Sequence, residues 1–262
     1  MVAQQIHSRS VGAISAAPVR ELSVHSISKR IGAQTILSDV SFAINPGEIT
    51  ALIGPSGAGK TTLLKALSLL DPPDSGALNL DGYRYEFPLS KRAAQPTPWP
   101  KVTVVFQQLF LWPHLTLRSN ILLPLGDKLT PAKQALFEHL IERFKMGEFI
   151  DRYPNQASLG QRQRAALVRA MVLEPSYILL DEITSSLDVE QVASILSELR
   201  VMRDNGIGIL LVTHLLQFAK EVANSVVFLE RGTVLESGST EIITNPVHPR
   251  VKQFVAMAQF AS

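Results

Sequence analysis

The chain has 262 residues, 46% of them apolar, enough to bury a sizeable core and to exclude wholesale disorder. With 25 basic and 23 acidic residues the formal charge is only +2, which excludes a general affinity for nucleic acid or for an anionic membrane surface. It contains no cysteine, so disulfides and thiolate metal sites are ruled out and a reducing compartment is compatible.

Residues 1–20 lack the long apolar centre of a secretory signal and read as a flexible N-terminal tail. "ELSVHSI" then alternates as a strand does, and "VSFAINPGE" repeats the alternation before a Pro46-Gly47 turn. "ITALIG" (49–54) is nearly all apolar, the pattern of a strand buried on both faces. A helical pattern follows at once, with Leu63, Leu64, Leu67 and Leu70 on one face. "SGALNLDGY" reads as a short strand with an Asp81-Gly82 turn, and the proline-rich stretch 83–101 as a loop.

Residues 116–172 are mainly helical in pattern. Strand and helix then alternate: "YILLD", a helix from Val189 to Met202 closed by Asn205-Gly206, "IGILLVT", a short helix, and "SVVFL". That alternation predicts an α/β fold with a mostly parallel sheet. No stretch approaches the roughly 18 apolar residues of a membrane helix, so work at a membrane requires a partner.

"GPSGAGKTT" (54–62) has the spacing glycine, four residues, Gly-Lys-Thr. Gly54, Gly57 and Gly59 let backbone N–H groups turn inward around phosphate oxygens. The helix starting near Lys60 points its positive end at the same place. The Lys60 ammonium can reach β- and γ-phosphates, and the Thr61 hydroxyl is a candidate magnesium ligand. The candidate nucleotide-binding set is therefore Gly54, Pro55, Ser56, Gly57, Ala58, Gly59, Lys60, Thr61 and Thr62.

"ILLDE" (178–182) sets Asp181 and Glu182 at the end of a buried strand, where ligands of open parallel sheets sit. Asp181 is the natural magnesium partner, and Glu182 is placed to orient or deprotonate a water. His214 follows "ILLVT" in the same way. It is either a structural histidine or a hydrogen-bond partner for a γ-phosphate oxygen. The loop "ASLGQ" (157–161) opens an arginine-studded helix whose Arg162, Arg164 and Arg169 read as a solvated or internally paired face.

The order "GPSGAGKTT", "VVFQQ", "ASLGQRQR", "YILLDE", "SSLD" and "LVTH" resembles the nucleotide-binding subunit of ATP-binding cassette (ABC) transporters, over about residues 21–260. The "LWPHLT" segment and the stretch from Gly232 to Phe254 resemble the polar-amino-acid importers most. The resemblance implies a P-loop NTPase core with a small antiparallel β subdomain and an inserted α-helical subdomain at about 108–172, all within one ATPase domain at 21–262. It implies ATP and Mg2+ at the site, with Gln107 sensing magnesium and water, Asp181 at the metal and Glu182 and His214 in catalysis. It implies a second cassette, identical or different. Ser158, Gly160, Gln161 and the interface residue Asp188 would then complete the site on that partner. It further implies integral membrane permease subunits, a solute-binding protein, and a place at the cytoplasmic face of the membrane.

Three residues depart from the family pattern. Leu159 stands where the family has a glycine, Ile183 where it has a proline, and Ile31 where it has an aromatic ring against adenine; His25 is a candidate substitute for that ring. The altered 157–161 loop keeps a non-hydrolysing or weakly hydrolysing regulatory subunit open as an alternative, and a soluble ABC ATPase acting on DNA or ribosomes is the other. Leu109 to His114 form a candidate permease dock, with core packing of Phe110, Leu111 and Trp112 as the competing reading.

Overall fold

The computed structural model describes residues 20–90, 95–183 and 189–260. The expected tail, apart from Arg20, and the interface residue Asp188 lie outside the described residues. In chain order the elements are β1 (Leu22–Ile31), β2 (Gln34–Ile44), β3 (Ile49–Ile53), α1 (Lys60–Leu67), β4 (Ser75–Leu80), β5 (Tyr83–Phe87) and β6 (Val102–Val105). There follow α2 (Leu117–Leu122), α3 (Pro131–Arg143), α4 (Leu159–Met171), β7 (Tyr177–Asp181), α5 (Val189–Asp204), β8 (Gly208–Val212) and α6 (Leu216–Val222). The chain closes with β9 (Ser225–Glu230), β10 (Thr233–Ser239), α7 (Glu241–Thr244) and α8 (Pro249–Phe260).

Two sheets result. The smaller is antiparallel, in the order β2-β1-β4-β5. The larger runs β10-β9-β3-β8-β7-β6 and is parallel except for the β9–β10 hairpin. Every residue of β3, β7 and β8 is buried, which explains their uninterrupted apolar sequences.

Strand alternation divides the core between two faces of the large sheet. Leu52, Leu179 and Leu210 pack on one side with α1 and the antiparallel sheet. Ile178, Leu180, Ile209 and Leu211 face the other side, against α2, α3, α4 and α5. Because β3, β6, β7 and β8 run parallel, their carboxyl ends emerge together, and every loop that carries a candidate site residue from those strands opens at one edge.

The structure corrects several expectations. Residues 83–87 are strand, not loop: β5 pairs with β4 across the Asp81-Gly82 turn, with Tyr85 and Phe87 buried. Leu70 lies beyond the end of α1 and is 65% exposed, so it does not share the buried face of Leu63, Leu64 and Leu67. Strands β6 and β10 and helices α7 and α8 are additions to the elements read from the sequence.

Candidate functional site

The phosphate loop leaves β3 and enters α1. Gly54 lies so close to β9 that a Cβ there would sit 2.0 Å from the Leu229 carbonyl oxygen. The loop is closed by Ala58 N–H donating to Pro55 O at 3.2 Å and braced from outside by Gly232 N–H donating to Ala58 O at 2.9 Å. Gly232 belongs to the β9–β10 turn, where Arg231 and Gly232 both have positive φ, as a two-residue hairpin requires. The Gly232 carbonyl in turn accepts from Ser38 N–H at 2.8 Å, so one turn ties the loop to β2.

Lys60 is the first residue of α1, and its ammonium donates to Gly54 O at 2.8 Å and Pro55 O at 3.0 Å. Burial lowers its pKa, against the opposing pull of Glu182 and Asp181. Thr61 Oγ1 donates to Asp181 Oδ2 at 2.9 Å. The Asp181 carboxyl is pushed above the usual carboxylate range, first by burial and further by Glu182, while the Thr61 bond, Lys60 and Lys65 pull it back. This is a buried acid held beside a hydroxyl and a lysine.

Glu182 follows the last residue of β7. Its backbone sits at φ +48, outside the range a bulky side chain prefers, and its N–H donates to Val212 O at 3.0 Å. The carboxylate is three-quarters covered and lies 3.7 Å from His214 Nδ1. Ile183, where the resemblance expects proline, is fully buried in the core between the sheet and α4.

These groups share one cleft of about 500 Å³, lined by Ile36, Ser56 to Thr62, Gln107, Asp181 and Glu182. Gln107 reaches it because it lies just past the end of β6. The sequence did not single out Ile36; an aliphatic residue in β2 carries no signal of its own. Ile31 and His25 do not line the cleft. Ile31 is 56% exposed, and His25 Nε2 is engaged at 3.2 Å with Ser23 Oγ and at 3.0 Å with Asn79 Nδ2.

Ser158, Gly160 and Gln161 belong to a different place, the N-terminus of α4, and none of them lines the cleft. Ser158 caps that helix: its Oγ accepts from Gln161 N–H at 3.3 Å, and its own N–H donates to Gln161 Oε1 at 2.9 Å. Leu159 is the first helical residue and is half-buried, and Gly160 is buried.

The three arginines of α4 are internally engaged to different degrees. Arg164 donates to Phe144 O at 3.0 Å and stacks on the Phe149 ring, and Arg169 grips the backbone of residues 109 and 110. Arg162 Nε is buried without a hydrogen-bond partner. The 109–114 loop divides between the two readings of the sequence. Leu109 and Leu111 pack on the core, while Phe110 and Trp112 are 58% and 53% exposed. Asn120, fully buried, holds this loop by accepting from Trp112 N–H at 2.7 Å and donating to Trp112 O at 3.1 Å.

The sequence profile of the ABC transporter family matches residues 37–185. The arginine transport ATP-binding protein ArtP of Escherichia coli K12 is 38% identical over 236 residues, covering 86% of this chain and 95% of that protein. A probable amino-acid ABC transporter ATP-binding protein of Haemophilus influenzae is 35% identical over 247 residues, covering 91% and 95%. Among solved structures, a dimeric post-hydrolysis state of an ATP-binding cassette bound to ADP and Pi superposes with a TM-score of 0.72 at 27% identity, covering 84% of this chain and 98% of that one. On sequence and fold together, the chain belongs to the ABC transporter family and is an ATPase.

Proposed function

We propose that this chain hydrolyses ATP to drive uptake of an amino acid through separate permease subunits, from the cytoplasmic face of the membrane. The observation that carries the reading is the meeting of Lys60, Thr61, Asp181, Glu182 and Gln107 in one cleft, on a chain similar to amino-acid transport ATP-binding proteins. Among the described residues no helix is long and apolar enough to cross a membrane, in keeping with a subunit that works through membrane partners. Residues 21–262 form one ATPase unit, with a helical subdomain at about 108–172.

In this reading the loop amides, the N-terminus of α1 and Lys60 hold the β- and γ-phosphates. The donor set fits magnesium. Thr61 Oγ1 and Asp181 Oδ2 already adjoin, with Gln107 on the same cleft. Among the described residues no cluster of three or more His, Asp or Glu could cage a metal. Such a site suits an ion that keeps most of its ligands as phosphate and water. When bound, Mg2+ supplies positive charge against the phosphate oxygens.

Glu182 orients a water and takes its proton as the water oxygen bonds to the γ-phosphorus and the bond from that phosphorus to the departing ADP oxygen breaks. His214, 3.7 Å from the Glu182 carboxylate, holds Glu182 and donates to the γ-phosphate in this reading. Catalysis rests on placement and charge, not on a covalent intermediate. Ser158, Gly160 and Gln161, which do not line their own cleft, complete the site of a second cassette together with Asp188. Phe110 and Trp112 present an apolar surface for the permease, and a solute-binding protein delivers the amino acid.

The test is Glu182→Gln. The variant should bind ATP as the wild type does, while phosphate release falls about 100-fold or more, the scale of a lost general base. Wild-type turnover in that variant would remove Glu182 from the chemistry.

A further inference from the structure

Helix α4 carries one cation inside an otherwise apolar run. Ala165, Ala166, Leu167, Val168 and Ala170 are all buried, and Arg169 lies half-buried among them. Burial lowers the pKa of its guanidinium. Among the described residues its hydrogen bonds go to backbone: Nη1 donates to Phe110 O at 2.8 Å and Nη2 to Leu109 O at 2.6 Å.

Consecutive carbonyls of an extended chain point in opposite directions. For both to meet one guanidinium fork, the chain must turn between them, and Phe110 does so at φ +47. That region disfavours a bulky side chain, so something must hold it there.

Leu109 and Leu111 on either side pack on the core, but Phe110 itself is 58% exposed. A cavity of about 330 Å³ flanks the turn on the cleft side, lined by Thr61, Lys65, Phe106, Gln107 and Phe110 among others. A second, of about 230 Å³, is lined by Arg169 itself with Leu70, Trp99 and Phe106. Asn120 holds the loop two residues further on, at Trp112, whereas the planar fork grips the carbonyls of Leu109 and Phe110 themselves.

Three residues before Phe110 stands Gln107, on the wall of the nucleotide cleft beside Asp181 and Glu182. We propose that Arg169 is a positioning residue for the ATPase reaction: by clamping the carbonyls of Leu109 and Phe110 it holds Gln107 at the metal side of the cleft. The inference rests on the ATPase reading above.

The experiment compares purified wild type with Arg169→Met, which keeps the stem and loses the fork, and with Arg169→Lys, which keeps a single donor group. Arg169→Met should bind ATP within about twofold of wild type, lose about tenfold to hundredfold in kcat, the cost of an ångström-scale misplacement, and need more Mg2+ for half-maximal rate. Arg169→Lys should recover part of both losses. Wild-type kcat and Mg2+ requirement in Arg169→Met would overturn the proposal. So would ATP affinity and thermal stability falling in step with kcat in both variants, which would mark Arg169 as a packing residue. A wild-type chain that binds no ATP would sink the underlying reading as well, an outcome distinct from either.

Discussion

Gly54 and Gly57 both belong to the phosphate loop and both have positive φ, at +148 and +77. The structure nevertheless assigns them different costs on substitution. At Gly57 an added Cβ meets nothing within 4 Å, so alanine there bears only the backbone penalty, about 1–2 kcal/mol. At Gly54 the same carbon lies 2.0 Å from the Leu229 carbonyl oxygen and 3.1 Å from its carbon. Those atoms belong to β9, paired on one side to β3 and on the other to β10, so they have little room to give. Overpacking against a fixed backbone adds about 1–3 kcal/mol to a similar dihedral penalty, for a total of roughly 2–5 kcal/mol. At about 2–4 °C per kcal/mol, Gly54→Ala should melt about 4–20 °C below wild type, and Gly57→Ala about 2–8 °C below. Thermal unfolding by circular dichroism without nucleotide reads both. Equal losses, or a Gly54→Ala loss below that of Gly57→Ala, would refute the claim that contact with β9 sets the difference.

Asp181→Asn should stabilise the free protein at neutral pH, by a few degrees or about 1 kcal/mol. The native carboxyl is raised, so folding favours the protonated form; the ionised group costs stability above that raised value, and the advantage of asparagine should shrink as pH falls toward the ordinary carboxylate range. Melting curves across pH check this, and a variant less stable at every pH would contradict it. Leu159→Gly concerns the half-buried first residue of α4. It should raise ATPase activity several-fold if the chain pairs with itself, because the leucine then stands in both sites. It should change the rate little when the partner is a different cassette with a glycine there. An unchanged rate in a homodimer established by sizing chromatography would show that the leucine is tolerated.

How legible these features are in the sequence follows from their physics. β3, β7 and β8 are buried on both faces, so each is an unbroken apolar run that nothing else explains. β5 alternates correctly, with Tyr85 and Phe87 inward, but five residues followed by Pro88 read as the start of a loop. β10 is an edge strand with no buried residue, and its polar "LESGS" carries no period. The cleft residues were readable because phosphate chemistry demands glycines, a lysine and a strand-end acid at fixed spacing. Ile36 was not, since an aliphatic side chain on the cleft wall follows no spacing rule. Arg169 did leave a trace. A lone cation in the run "AALVRAMV" is surrounded by residues that must be buried, which marks it as an internal donor and not as part of a solvated face.

The brace from Gly232 to Ala58 has a consequence for how nucleotide is taken up. Ordering a residue's backbone costs about 1–2 kcal/mol of entropy, and a floppy phosphate loop would lose that at every residue on binding. Here the loop is shaped beforehand by the Gly54–β9 contact, the Ala58–Pro55 bond and the hairpin turn outside it. Phosphate therefore meets a loop that is already shaped, and the Lys60 ammonium must exchange the carbonyls of Gly54 and Pro55 for phosphate oxygens. Less entropy is then left to lose when a triphosphate enters than a loop without that brace would lose.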